Sequence, residues 1–332
     1  MEDEKLSRAI EELSLRLFES QKPLKVEPLA GDASTRYYLR GSYPDGSQAV
    51  FMVTRDKNEA DRFIEITNLM KKLGVQTPRI FGSSENILAM ENLGGISLQQ
   101  KVKGADEAGL LDEYKLHLGD LVNFQKAAIG HKERGMKCFE LAFDVGKLMF
   151  EVEFTNEHYL KEYLGVRPGE KALLAMQQGW EIIATRLAEK METLAHRDFH
   201  SRNIMLAGER RVWIDYQDAR MGRLTYDAAS FLLDPYINMP IDLSDKLADC
   251  YFEQLEESQV APWDHDTFID LYQLSGLQRV YKALGTFGYQ ATSRKTDIYV
   301  PYMKPAVNTI RKLAERRPDL KEFGEALVGS IG

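Results

Sequence analysis

Cysteine is nearly absent: Cys138 and Cys250 are the only two in 332 residues. Two thiols without a C-x-x-C pair build neither a disulfide framework nor a thiolate zinc site, so both read as small buried hydrophobes. There is no run of about 18 apolar residues, the length a membrane-crossing helix requires. The N-terminus, Met1-Glu2-Asp3-Glu4-Lys5, is acidic. A secretion signal starts basic and turns apolar, so a cytoplasmic location is expected. The net charge of −8 lacks the basic excess that nucleic-acid binding demands. Repeats and low-complexity tracts are missing too. What remains is an ordinary globular composition, 44% apolar and 28% charged, in a chain long enough for two lobes.

Against this background one segment stands out. His196-Arg197-Asp198-Phe199-His200-Ser201-Arg202-Asn203 matches the catalytic-loop pattern H-R-D-x-x-x-x-N at every fixed position. Val212-Trp213-Ile214-Asp215 follows, an apolar strand ending in a carboxylate. A base, an amide oxygen and an acidic oxygen thus come in the order that phosphoryl transfer from ATP requires. Asp198 is the candidate base for an attacking hydroxyl. Asn203 and Asp215 are candidate magnesium ligands, because that ion takes oxygen donors. An acidic chain can still bind ATP, since backbone amides and magnesium neutralise the phosphates locally.

The rest of the chain reads as a small mixed lobe followed by a larger helical one. Residues 5–20 carry Leu6, Ile10, Leu13 and Leu17 on one helical face. Tyr37–Arg40 and Ala49–Val53 flank the turn Pro44-Asp45-Gly46, which predicts a hairpin. Asn58 is placed to cap a helix that Gly74 stops. Ile87–Met90 reads as a buried strand, and Glu91-Asn92-Leu93-Gly94-Gly95 as a joint. The expected division is residues 1–90, a hinge at 91–95, and 96–332. Beyond the joint, helices are expected at 110–128, 145–164, 170–191, 226–231, 243–256, 267–286 and 303–313.

Gly31-Asp32-Ala33-Ser34-Thr35-Arg36 is a small-residue turn whose N–H groups suit phosphates, although a ligand-free turn has the same composition. Asp227 in Thr225-Tyr226-Asp227 is expected to cap its helix and hold the catalytic loop. Asp218 is a candidate neighbour of the metal. His196 is expected to support the loop, and His200 either to support it or to contact phosphate.

These pieces resemble the aminoglycoside phosphotransferase and choline kinase superfamily, and within it the bacterial anomeric amino-sugar kinases. The resemblance covers most of the chain. It rests on Gly31–Ser34 with Arg36-Tyr37-Tyr38, Met90–Gly94, the catalytic loop, Ile214–Ala219, Thr225–Asp227, and the late stretch Leu277-Gln278-Arg279 with Lys282–Phe287. It implies an α+β, bilobal protein-kinase-like fold, with a small antiparallel sheet and a larger, mainly helical lobe. It implies ATP and magnesium as cofactors and a small-molecule sugar as acceptor; no nucleic-acid or membrane partner is expected, and a monomer or weak dimer is. Ala33, Ser34, Thr35 and Arg36 would cradle phosphate. Met90, Glu91, Asn92 and Leu93 would meet adenine through their backbones. Glu151, Phe154 and Arg202 would contribute to the acceptor site, with Phe154 either covering a sugar ring or sitting in the core.

Two departures bear on this reading. The strand Phe51-Met52-Val53-Thr54 has no lysine, leaving Arg36, Arg55 or Lys57 as phosphate contacts. The metal acid is followed by Tyr216-Gln217 rather than Phe-Gly. The missing lysine motivates a rival, a pseudokinase that only binds nucleotide; the intact Asp198, Asn203 and Asp215 oppose it. Within the enzyme reading, an aminoglycoside acceptor would need a strongly acidic pocket. An acceptor carboxylate would favour a cation such as Arg202, Arg220 or Arg223.

Overall fold

The computed structural model describes residues 2–19, 21–29 and 37–332. The segment with Ala33, Ser34, Thr35 and Arg36, expected to cradle phosphate, lies outside the described residues. The chain sorts into two compact units, Met1–Ile96 with Met205–Gln217, and Ser97–Ile204 with Asp218–Gly332.

The first unit is built on a five-stranded antiparallel sheet in the order β1-β2-β3-β5-β4. The strands are β1 (Lys25–Pro28), β2 (Tyr37–Ser42), β3 (Gln48–Val53), β4 (Ile80–Ser84) and β5 (Ile87–Glu91). The expected hairpin is β2–β3, with Tyr37 opposite Val53 and Ser42 opposite Gln48. Helix α1 (Glu2–Leu17) lays Ile10 and Leu13 on one face of the sheet, against Ala49, Phe51, Val53, Ile87 and Ala89. The alternate residues Val50, Met52, Leu88 and Met90 are buried as well. With both faces covered, the middle strand reads as a continuous apolar run.

Helix α2 (Lys57–Lys72) is capped by Asp56 rather than Asn58: the extended Asp56 backbone lets its side chain accept the Glu59 N–H. A hairpin of Ile204–Ala207 and Arg210–Trp213 contributes residues from Met205 onward to this unit. The Arg210 guanidinium donates to both Glu91 carboxylate oxygens, at 2.5 and 3.2 Å. A Cβ at Gly95 would stand 1.9 Å from the Leu206 carbonyl oxygen, so glycine is required at that crossing.

The second unit is mainly helical. It begins with the single-turn α3 (Leu98–Lys101), α4 (Glu107–Ala128) and the single-turn α5 (Lys137–Glu140). Next come α6 (Val145–Thr155) and α7 (Glu170–Ala188). The helix expected over 145–164 changes register at Asn156 and continues as a π-helix, Asn156–Tyr163. Later helices are α8 (Leu224–Leu232), α9 (Ile241–Glu257), α10 (His265–Thr292), α11 (Met303–Glu315) and α12 (Lys321–Ile331).

The 28-residue α10 is the hub, in contact with α6, the π-helix, α7, α8 and α11. Glycines let it approach closely: a Cβ at Gly285 would meet Thr155 Oγ1 at 2.4 Å, and one at Gly288 the His158 carbonyl oxygen at 2.5 Å. That approach brings the buried face of α6 to the middle of α10. Strands Thr193–Ala195 and Arg220–Gly222 pair antiparallel, and the catalytic loop leaves directly from the first of them.

Candidate active site

The segment 196–203 is held by two buried aspartates. Asp227, in the first turn of α8, accepts the N–H of His196 at 2.7 Å and of Arg197 at 3.0 Å, one on each carboxylate oxygen. Asp234 accepts the N–H of Ser201 at 3.0 Å, its hydroxyl at 2.5 Å, and the N–H of Tyr236 at 2.8 Å. Arg197 adopts φ +82°, a strained conformation for a residue with a Cβ, and the Asp227 bonds hold it there. Burial pushes the Asp227 carboxyl up to about 7, despite the two amide bonds that pull the other way. The expected loop-holding role is present, but the helix N-cap is Arg223.

Asp198 meets three cations. Its Oδ1 lies 2.7 Å from Lys282 Nζ and 3.1 Å from Arg279 Nη2, while Oδ2 lies 3.8 Å from Arg197 Nε. Its side chain keeps 22% exposure. Burial alone would raise its carboxyl, but Lys282, Arg197 and Arg279 overcome that and hold it well below the usual carboxylate range. Lys282, buried beside Arg279, is lowered to about 8. The Asn203 amide nitrogen donates to the Asp198 carbonyl oxygen at 2.9 Å, which orients the amide. His200 packs its ring against Tyr236 at 5.2 Å, and burial holds it neutral.

Glu151 is 3% exposed and bound by Gln278 at 3.0 Å and Lys147 at 3.0 Å, with Arg197 at 3.8 Å. Burial would raise its carboxyl, but Lys282, Lys147 and Arg197 keep it lowered. Arg197 also pairs with Asp218 at 3.4 Å. Asp198, Glu151, Asp218, Arg197, Arg279, Lys282 and Lys147 therefore form one linked charge cluster. Phe154 belongs to an aromatic strip with Phe150, His158 and Tyr289, at 6.5, 4.3 and 5.7 Å between ring centroids. The Arg202 guanidinium lies over the rings of Tyr236 and Tyr299, at 4.7 and 5.5 Å. Arg223 is buried and bound to Glu192 and to the carbonyls of Leu187 and Arg186, so it is a structural cation rather than one available to an acceptor.

In the first unit, Asp215 has φ +64° and accepts from Gln217 at 2.6 Å. Met90 and Glu91 end β5. The Glu91 carboxylate is engaged by Arg210 and its N–H by the Arg79 carbonyl, so its side chain is structural. The Asn92 side chain spans Gln48 at 2.6 Å and the Gly94 N–H at 3.2 Å. The Leu93 carbonyl accepts the Gly95 N–H. Arg55 is exposed, and Lys57 pairs with Asp61 along α2. Asn203 and Asp215 offer an amide and a carboxylate oxygen, donors that fit a hard cation such as magnesium. Among the described residues no group of three or more His, Cys, Asp or Glu forms a metal cage.

Sequence reasoning did not assign roles to Lys282, Arg279 or Asp234. Arg279 and Lys282 lie in the late stretch that carries the resemblance, and their three-residue spacing puts both on one helical face. Cys138 is buried as expected, and burial raises its thiol to about 11, whereas Cys250, expected to be buried too, is only half-buried.

A family model described as the phosphotransferase enzyme family matches residues 25–265. An N-acetylmuramate/N-acetylglucosamine kinase of Pseudomonas aeruginosa is 26% identical over 92% of this chain and 88% of its own. The protein of the same name from Neisseria meningitidis serogroup B is 26% identical over 91% and 90%. Among solved structures, choline kinase from Cryptosporidium parvum superposes with TM-score 0.64 at 11% identity, over 98% of this chain and 99% of that one. The ADP-bound aminoglycoside phosphotransferase APH(2'')-Ib gives TM-score 0.58 at 16% identity, over 97% and 99%. These two share the fold. The chain belongs to the phosphotransferase enzyme family, and it is a small-molecule kinase that phosphorylates an alcohol.

Proposed function

We propose that this kinase transfers the γ-phosphoryl group of ATP to the anomeric hydroxyl of an amino sugar, N-acetylmuramate or N-acetylglucosamine. The carrying observation is Asp198, an ionised carboxylate in a pinned loop, with Oδ1 bound by two cations. In the step, the acceptor oxygen forms a bond to the γ-phosphorus as the bond from that phosphorus to the β–γ bridging oxygen breaks. The electron pair leaves with ADP, and the hydroxyl proton passes to Asp198. Magnesium would supply charge neutralisation on the phosphates, and Asn203 and Asp215 are the proposed ligands. The segment with Ala33, Ser34, Thr35 and Arg36 is proposed for phosphate, and the backbone of Met90–Leu93 for adenine.

The linked cluster favours a neutral or acidic sugar over a polycationic aminoglycoside. Four cations (Lys147, Arg197, Arg279, Lys282) face three carboxylates (Asp198, Glu151, Asp218), whereas a polycation calls for an acidic excess. Glu151 suits sugar hydroxyls and Phe154 the C–H face of a ring. Arg202, held on two tyrosines, is proposed at the edge of that site. The relatives named for these two sugars support the same choice.

The test is an acceptor panel with ATP and magnesium: N-acetylmuramate, N-acetylglucosamine, kanamycin and choline, with NMR of the phosphorylated carbon. Phosphate on the anomeric carbon of an amino sugar is expected, and the 1-O-methyl analogue should stay unmodified. A preference for kanamycin or choline, or a product from the methyl analogue, overturns the proposal.

A further inference from the structure

Two cations converge on a single oxygen of the candidate base. Lys282 Nζ and Arg279 Nη2 reach Oδ1 of Asp198 at 2.7 and 3.1 Å, while Oδ2 has Arg197 only at 3.8 Å. The asymmetry is built into the fold. Both residues come from one face of α10, which is drawn against α6 and the π-helix by the close approach at Gly285 and Gly288. Arg279 is fixed again by donating its Nε–H to Ser230 Oγ at 3.0 Å. The two side chains are 9% and 12% exposed, so neither is a mobile surface charge.

A carboxylate whose one oxygen takes two charge-assisted hydrogen bonds cannot rotate freely, and it presents its other oxygen in a fixed direction. We propose that Lys282 and Arg279 are positioning residues for the transfer: they grip Oδ1 so that Asp198 meets the acceptor hydroxyl through Oδ2. The inference rests on the reading of Asp198 as the base. The same grip weakens Asp198 as a proton acceptor in the ground state. In a loose transition state the hydroxyl gives up its proton late, so orientation contributes more than basicity. The other charged or titratable groups facing this carboxylate are Arg197 and His200 of its own loop and Tyr226 and Asp227 of α8. None reaches Oδ1 in the way the two α10 residues do.

The test uses the full chain with Lys282→Met and Lys282→Arg. Carboxyl carbon NMR, with the Asp198 signal assigned by its loss in Asp198→Asn, follows the titration of that side chain without any substrate. In Lys282→Met the Asp198 titration should move up by about one pH unit or more. With substrates, kcat should fall by about 10²-fold at unchanged KM for ATP, and the acid limb of the rate profile should move up with the NMR titration. Lys282→Arg should recover most of the rate. In an Asp198→Asn background, Lys282→Met should cost nothing further.

A rise in KM for ATP at constant kcat would make Lys282 a phosphate contact and overturn the proposal. So would independent, multiplicative losses in the double variant, or an unmoved Asp198 titration. If Lys282→Met does not fold, Arg279→Lys carries the same measurements. If the unaltered chain phosphorylates no amino sugar, the sugar-kinase reading fails while the NMR arm still decides the grip.

Discussion

Asp227 holds Arg197 in a left-handed backbone conformation by accepting its N–H at 3.0 Å, with the neighbouring His196 N–H on the other carboxylate oxygen at 2.7 Å. The side chain of Arg197 then reaches Glu151, Asp198 and Asp218. One buried carboxyl thus sets the backbone that aims the central cation of the cluster.

Asp227→Asn should cost about 1–3 kcal/mol, because an amide has one oxygen for two N–H groups. Its pH dependence has a definite sign. Burial raises Asp227 from its ordinary 3.8 to about 7, so its contribution to stability is full below the ordinary value and lost as pH rises through about 7. The melting-temperature gap between the parent and Asp227→Asn should therefore narrow from about pH 5 to about pH 8. A gap that widens with pH would contradict the burial argument.

Asp198→Asn should lower kcat by roughly 10²–10⁴, about 3–5 kcal/mol in the barrier. It also leaves Lys282 and Arg279 without the carboxylate they both bind, so stability should drop at neutral pH. Because the Asp198 carboxyl is depressed, that contribution exists above the ordinary carboxylate range and vanishes as pH falls. Turnover at the parent rate would remove Asp198 from the base role, whatever the melting curves show.

Asp215→Asn isolates the charge of the proposed metal ligand. Asparagine tolerates φ +64°, which alanine does so only at a cost, so the backbone is preserved. The magnesium concentration for half-maximal rate should rise about tenfold or more, with an unchanged circular dichroism spectrum. An unaltered magnesium dependence would place the ion elsewhere.

The catalytic loop was legible because its chemistry is contiguous in the chain. The β2–β3 hairpin was legible through Pro44-Asp45-Gly46, and the middle of α10 as the helix expected over 267–286. The charges that meet Asp198 were not. Arg279 lies 81 positions away and Lys282 84, and no local pattern records which side chain a helix face will meet. The Asn156 register change was hidden for a similar reason, since it is imposed by packing against α10 and not by a helix-breaking residue. The α2 cap fell to Asp56 because Asp and Asn both cap well, and backbone conformation decided between neighbours two positions apart.

Gly288→Ala tests whether the α10 contact is as close as the site requires. A Cβ there would stand 2.5 Å from the His158 carbonyl oxygen and 2.8 Å from Tyr159 Cα, both backbone atoms that yield only by moving the π-helix. Alanine is intrinsically the better helix former by about 1 kcal/mol, but overpacking costs about 1–3 kcal/mol and should prevail. Gly329 in α12 is the control, because nothing lies within 4 Å of its Cβ position. Gly329→Ala should be neutral or stabilise by up to about 1 kcal/mol. Opposite signs in urea unfolding are expected for the two substitutions, with loss of kinase rate only in Gly288→Ala. Equal stability for both would mean that α10 does not need glycine to bring Gln278 and Lys282 to Glu151 and Asp198.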